Sequence, residues 1–139
     1  MLFGLALSGR RIARVASERA RERKTSPLAE LKQRLRALET ASAGDDSRAI
    51  DGATIRVLEA GAMAHAGVNV RGIGGEEIVS VLTRAGVSAD AAGQLRDLLD
   101  ACAAARFSPD GDSVLEARKR GDRAREVVNA LEEGRPSRR

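Results

Sequence analysis

Aromatic residues are nearly absent from this chain. Among 139 residues only Phe3 and Phe107 carry an aromatic ring, and there is neither Trp nor Tyr. Strands are enriched in aromatic and β-branched residues, whereas the hydrophobic 42% of this chain is mainly Ala, Leu and Val. The composition therefore favours helices, and a chain of this length forms one modest core. We predict an all-α fold, a small bundle of about four to five helices.

Cysteine and histidine occur once each, as Cys102 and His65. A single cysteine cannot close an internal disulfide, and one Cys with one His is not enough for a zinc site. Cys102 lies at helical spacing from Leu95 and Leu98, which is typical of a small buried core residue rather than a nucleophile. His65 is predicted at a helix end or on the surface. We predict no catalytic, cofactor-binding or metal-binding residue, and no enzymatic activity.

Two short stretches resemble binding motifs but lack the residues those motifs require. Residues 67–77, "GVNVRGIGGEE", have neither the third glycine of a dinucleotide loop nor the Gly-Lys-Ser/Thr of a Walker loop, and Glu76 and Glu77 repel phosphate. Asp110 and Asp112 lack the glycine and glutamate that a calcium loop has at its sixth and twelfth positions. Both stretches are therefore predicted to be connections between helices.

Positive charge is concentrated at the two ends of the chain. The net charge is +4 and the isoelectric point is about 10.2. Residues 1–24 carry seven basic and two acidic side chains, a sum of +5, and Arg135–Arg139 adds +3. Residues 25–134 carry 14 basic and 18 acidic side chains, a sum of −4. This distribution argues against a nucleic-acid-binding face on the folded part.

The N-terminal segment is apolar first and basic afterwards. Leu2 to Leu7 is far shorter than the roughly 20 apolar residues of a membrane helix, and the charges follow it, which is the reverse of a secretory signal. Three arginines form the basic flank: Arg10, Arg11 and Arg14. The alternatives are an interfacial helix, the cytosolic end of a membrane helix, and an ordinary frayed helix.

The chain accordingly divides into three parts. Residues 1–24 are expected to be the end of a membrane or interfacial helix, a basic juxtamembrane segment that contacts an anionic membrane surface. Residues 25–133 are expected to be the helical domain, and residues 134–139 a disordered basic tail.

Hydrophobic spacing and capping residues predict the helices of the domain. Ser26 with Pro27, Ser88, and Ser113 with Glu116 are helix-start signals. Four inward faces follow from the spacing: Leu28, Leu31, Leu35 and Leu38; Ile50, Thr54, Val57, Leu58 and Gly61; Ala91, Leu95, Leu98, Leu99 and Cys102; and Ala117, Gly121, Ala124, Val128 and Leu131.

Phe107 follows a long predicted helix, where the chain must reverse. A ring at this position is expected to fill the space between two antiparallel helices lined by Ala and Gly, with Leu98, Leu99 or Val128 among its neighbours.

The segment "AGVSADAAGQLRDLLDACAAARFSPDGDS" contains the pattern Leu98, Leu99, Cys102, Arg106 and Phe107. From about Glu76 to Leu131 the chain resembles the cytosolic C-terminal region of bacterial BatD-like (oxygen tolerance) membrane proteins. The resemblance implies a non-enzymatic, membrane-proximal protein-interaction module on the cytosolic face of the inner membrane, with MoxR-type ATPases or von Willebrand factor A proteins as partners. It brings no catalytic residue and no small-molecule substrate. The alternative is a cytoplasmic, basic-tailed helical protein associated with nucleic acid or ribosomes.

Overall fold

Five α-helices make up most of the chain described by the computed structural model, which covers residues 26–108 and 113–134. The helices are α1 (Pro27–Ser42), α2 (Ser47–Ala66), α3 (Gly75–Arg84), α4 (Ala89–Arg106) and α5 (Val114–Glu133). No strand occurs within the two described ranges. The prediction of a small all-α bundle is therefore confirmed. The expected basic N-terminal helix and C-terminal tail lie outside these ranges.

Short polar side chains begin four of the five helices. A side-chain oxygen of the capping residue accepts a backbone N–H from two or three positions further along, at 3.1–3.2 Å. The caps are Ser26, Asp46, Ser88 and Ser113, so the predicted helix starts at the three serines are confirmed. Helix α3 has Gly74 in this position and no side-chain cap. The negative charges of Glu76 and Glu77 suit its positive first turn.

Helix α2 is the centre of the bundle. It packs most extensively on α5 and α1, and it also contacts α4, while α3 packs on α4. Its predicted inward face is confirmed, since every member is buried: Ile50, Thr54, Val57, Leu58 and Gly61. The predicted inward face of α5 is buried as well: Ala117, Gly121, Ala124, Val128 and Leu131. None of the helices in the described part is long and apolar enough to cross a membrane.

Glycine allows the closest helix–helix approaches. A β-carbon at Gly61 of α2 would lie only 2.7 Å from a methyl group of Val128 on α5. A β-carbon at Gly121 of α5 would lie 3.2 Å from a methyl group of Leu38 on α1. Small residues therefore allow close packing of α5, and a larger residue at position 61 would require Val128 or the helices to move.

The glycine-rich stretch between α2 and α3 is a connection, as predicted. Gly67 and Gly72 adopt positive φ angles of 68° and 78°, which L side chains rarely adopt. Between these two glycines, Val68 and Val70 are buried in the core. The buried valines therefore anchor this connection to the core.

Two expectations about helix faces are wrong. Phe107 is 79% exposed, and Leu28 is 50% exposed. At about 100° per residue Phe107 lies on the side of α4 opposite Leu98, and the ring therefore points away from the bundle. Leu28 is displaced by about 60° from Leu31 around α1, so it flanks the buried face instead of belonging to it.

The close approach at Gly61 generates a stability prediction. Replacing either Gly52 or Gly61 by Ala gives α2 the same gain in helix propensity, about 1 kcal/mol. At position 52 the new methyl group meets only ordinary contacts, at 3.6 Å or more. Gly61→Ala is therefore expected to be less stable than Gly52→Ala by about 1–3 kcal/mol, the usual cost of overpacking. Urea unfolding followed by circular dichroism measures this difference, and equal stabilities would contradict the packing argument.

Candidate functional site

The five residues of the pattern that resembles the BatD-like proteins, Leu98, Leu99, Cys102, Arg106 and Phe107, fall into two groups in the structure. Leu98 and Cys102 are buried in the core, and Leu99 is half-buried against it. Arg106 ends α4, and Phe107 follows it as an exposed C-cap residue. The pattern is thus partly a packing motif and partly a surface feature. The predicted basic flank lies outside the described residues: Arg10, Arg11 and Arg14.

A buried ion pair joins α2 to α5. Arg120 donates two hydrogen bonds to the carboxylate of Asp51, Nε to Oδ1 at 2.7 Å and Nη2 to Oδ2 at 2.9 Å. The side chains are 14% and 1% exposed, respectively. Such bidentate pairs combine charge with fixed geometry, and removing one partner alone typically costs about 3–5 kcal/mol. This pair therefore fixes how α2 and α5 are placed relative to each other.

Cys102 of α4 completes this buried cluster. Burial raises the pKa of its thiol, the negative charge of Asp51 raises it further, and the positive charge of Arg120 partly opposes them. Together these effects raise the pKa of the thiol to about 12. Because the nucleophile is the thiolate, a fully buried thiol with this pKa is inert at neutral pH. The prediction of a core cysteine is confirmed.

The raised thiol pKa predicts an alkaline loss of stability. In the unfolded chain the thiol ionises at about pH 8.5. The folded state favours the neutral thiol, so the contribution of Cys102 is complete below that pH and declines as the pH rises towards 12. Urea midpoints of the parent and of Cys102→Ala are expected to converge above about pH 8.5. A difference that stays constant with pH would contradict this, and the absence of Tyr removes one competing titration.

Two exposed apolar residues, Phe107 and Leu115, flank the connection between α4 and α5, and we call these two residues the apolar corner. Their exposures are 79% and 61%. One residue follows α4 directly and the other is the second residue of α5, so both lie at the same end of the bundle. Arg48, at the start of α2, donates from Nη2 to the carbonyl oxygen of Ser108 at 3.1 Å. This bond joins the residue that follows Phe107 to the central helix.

A groove beside this corner is lined by four arginines. It has a volume of about 360 Å³ and lies between α1, α2 and the end of α4. We call it the arginine groove; its basic members are Arg34, Arg48, Arg56 and Arg106. Its remaining lining is small: Ala37, Ala49, Gly52 and Ala53. Within residues 26–108 and 113–134, no acidic residue lines it.

Gly52 explains how Arg106 reaches the groove. A β-carbon at position 52 would lie 3.6 Å from Cζ of Arg106, so the guanidinium rests directly over the backbone of α2. The same Cζ lies 5.9 Å from the centre of the Phe107 ring, within cation–π range. Arg106 therefore belongs to both the arginine groove and the apolar corner, and the helix-weakening Gly52 leaves the space that it uses.

The guanidinium groups of the groove are only slightly neutralised within the described part of the chain. Arg34 pairs with Glu30 at 3.3 Å, across an exposed turn of α1. Arg48, Arg56 and Arg106 form no salt bridge with any described residue. Exposed ion pairs such as Arg34–Glu30 contribute about 0–1 kcal/mol to stability. An incoming anion could therefore displace Glu30 at little cost.

Sequence reasoning missed both the buried pair and the groove. Asp51 precedes Leu58 by seven residues on α2, so the two lie on the same face of that helix. Arg120 likewise lies on the same face of α5 as Ala117 and Ala124, which are three residues before and four residues after it. This helical spacing could have indicated that both charges are buried. The four arginines are spread over 73 positions of the sequence, from Arg34 to Arg106, and the sum of charges gave no sign that the fold gathers them.

His65 lies at the end of α2, one of the two positions predicted for it, and it is buried there. In the described ranges no group of three or more His, Cys, Asp or Glu side chains is arranged to hold a metal ion. Comparison of the chain with protein-family models, curated proteins and solved structures finds no match.

Proposed function

We propose that this chain is a non-enzymatic helical protein-interaction module that docks a partner protein at the apolar corner. The observation that carries the proposal is the 79% exposure of Phe107. Phe107 is one of only two aromatic residues, and packing in the core does not account for it. Exposed aromatic residues flanked by arginine are typical anchors of protein interfaces.

The surroundings of Phe107 support a binding role. Leu115 adds a second exposed apolar side chain at the same end, and Arg106 borders the ring. The hydrogen bond from Arg48 to Ser108 and the capped starts of α2 and α5 hold the corner in place. A rigid anchor loses little conformational freedom on binding, which favours affinity.

The resemblance to the BatD-like proteins supports a more particular form of the proposal. In that form the module works beside the cytosolic face of the bacterial inner membrane, and its partners are MoxR-type ATPases or von Willebrand factor A proteins. Arg106 and Phe107, which end the resembling pattern, are also the residues exposed at the corner. The basic segment 1–24 supports a position at an anionic membrane.

One observation favours nucleic acid as a second candidate. Single-stranded nucleic acid is bound by basic grooves combined with aromatic side chains on which bases stack. The arginine groove and exposed Phe107 are adjacent through Arg106. Against this, residues 25–134 sum to −4, and a polyanion extending beyond the groove would meet a mildly acidic body.

The proposal predicts that Phe107→Ala weakens binding and leaves the stability of the fold almost unchanged. Because the ring is exposed, its removal is expected to change the free energy of unfolding by less than about 1 kcal/mol. Binding to a purified MoxR-type ATPase or von Willebrand factor A protein encoded in the same genome is expected to weaken by at least about tenfold, as for an interface anchor. Calorimetric titration measures the affinity, and chemical unfolding measures the stability.

Leu28→Ala is the matched control, because Leu28 is also a large exposed apolar residue and lies in the first turn of α1. It should leave the affinity unchanged. Equal affinities of Phe107→Ala and the parent would exclude the corner as the docking site. A parent chain that binds neither protein would exclude these partners, and a large loss of stability in Phe107→Ala would restore a packing role.

The membrane part of the proposal is tested separately, through residues 1–24. The full chain is expected to sediment with vesicles of anionic lipid, since each basic group near such a surface contributes about 1 kcal/mol. A chain beginning at Thr25 should remain in the supernatant. Raising the salt concentration should release the full chain, because screening shortens the range of the attraction. Equal sedimentation of the two chains would contradict a membrane-binding N-terminus.

A further inference from the structure

The arginine groove has three properties of an anion-binding site. It gathers four guanidinium groups; among the described residues, no carboxylate lines it, and three of the four arginines form no salt bridge. Guanidinium groups are always charged at physiological pH, so this arrangement keeps positive charges close together. Such a concentration of one sign in a concave surface attracts ions of the opposite sign.

The spacing of the arginines along α2 suits a short peptide. Arg48 and Arg56 lie eight residues apart on α2, which corresponds to about 12 Å along the helix. In an extended peptide, side chains on the same side repeat about every 7 Å. A segment with two or three acidic residues on one side therefore matches the spacing. The small side chains at positions 49, 52 and 53 let the peptide backbone approach α2 closely.

We propose that the arginine groove binds an acidic segment of the partner protein, through carboxylates paired with Arg34, Arg48, Arg56 and Arg106. This inference rests on the proposed function and adds the chemistry of the partner. Arg106 connects the two parts of the surface, because its guanidinium lies over Gly52 while its Cζ is 5.9 Å from the Phe107 ring. The partner is thus a protein that presents an apolar contact next to acidic residues.

A short acidic segment fits better than nucleic acid for a physical reason. Arg48 and Arg56 are separated by about 12 Å along α2, and the charges of residues 25–134 sum to −4. A nucleic acid longer than the groove would continue its phosphate charges over that body, and each additional phosphate would be repelled. A short acidic segment ends where the arginines end.

The probe for the test is a hexaglutamate peptide titrated into the full chain at low ionic strength. The double variant Arg48→Glu/Arg56→Glu is expected to reduce its affinity at least about tenfold, since each exposed pair contributes up to a few-fold and reversal adds repulsion. Arg36→Glu/Arg123→Glu is the matched control: both residues are exposed, neither lines the groove, and the change in net charge is the same. The basic ends of the chain contribute equally to all variants.

A second pair of variants tests the shape of the groove without changing its charge. Gly52→Leu places a large side chain where the guanidinium of Arg106 lies, and it should weaken hexaglutamate binding. Gly93→Leu on α4 is the control, because Gly93 does not line the groove and a β-carbon there would meet nothing within 4 Å; this variant should bind as the parent does. Circular dichroism confirms in each case that the variant is folded.

The outcomes distinguish the competing explanations. Equal losses in the groove variant and its matched control would overturn the inference, because binding would then depend on net charge alone. Tighter binding of a thymidine oligonucleotide than of hexaglutamate, lost in the same groove variant, would replace the acidic segment by nucleic acid. Tighter binding of inorganic phosphate would replace it by a small anion. None of these outcomes affects the Phe107→Ala test, so the docking proposal stands or fails separately.

Discussion

The bidentate pair between Asp51 and Arg120 is the interaction on which the packing of this bundle depends. Most of the core consists of Ala, Val and Leu, which pack without strong directional preference. The pair is directional, since two hydrogen bonds of 2.7 and 2.9 Å define both the distance and the orientation of α5 on α2. Cys102 of α4 is buried beside this pair, since the charges of both Asp51 and Arg120 act on its thiol. Side chains from three helices thus meet at one buried polar cluster.

Local signals in the sequence were sufficient to predict the helices. Ser26, Ser88 and Ser113 mark helix starts because capping involves residues only two or three positions apart. The buried faces of α2 and α5 follow from spacing along a single helix. The error over Phe107 came from reasoning about the reversal of the chain and not about helix phase. Phase alone places this residue about 180° from Leu98.

Features that depend on several helices could not be predicted in the same way. The arginine groove combines residues of α1, α2 and α4, and no local pattern relates Arg34 to Arg106. The role of Gly52 is similar, because its neighbour in space, Arg106, is 54 positions away in the sequence. Surface chemistry in a small bundle therefore depends on tertiary geometry, whereas the core depends on periodicity.

Arg118 joins α5 to the C-terminal end of α1, which is far away in the sequence. From α5 it donates to the carbonyl oxygens of Ser42 and Gly44, at 2.8 and 3.2 Å, and so satisfies the last turn of α1 across 76 and 74 positions of sequence. During synthesis α1 emerges from the ribosome long before the side chain that completes its C-terminal end. The first two helices therefore reach their final packing only after α5 has been made.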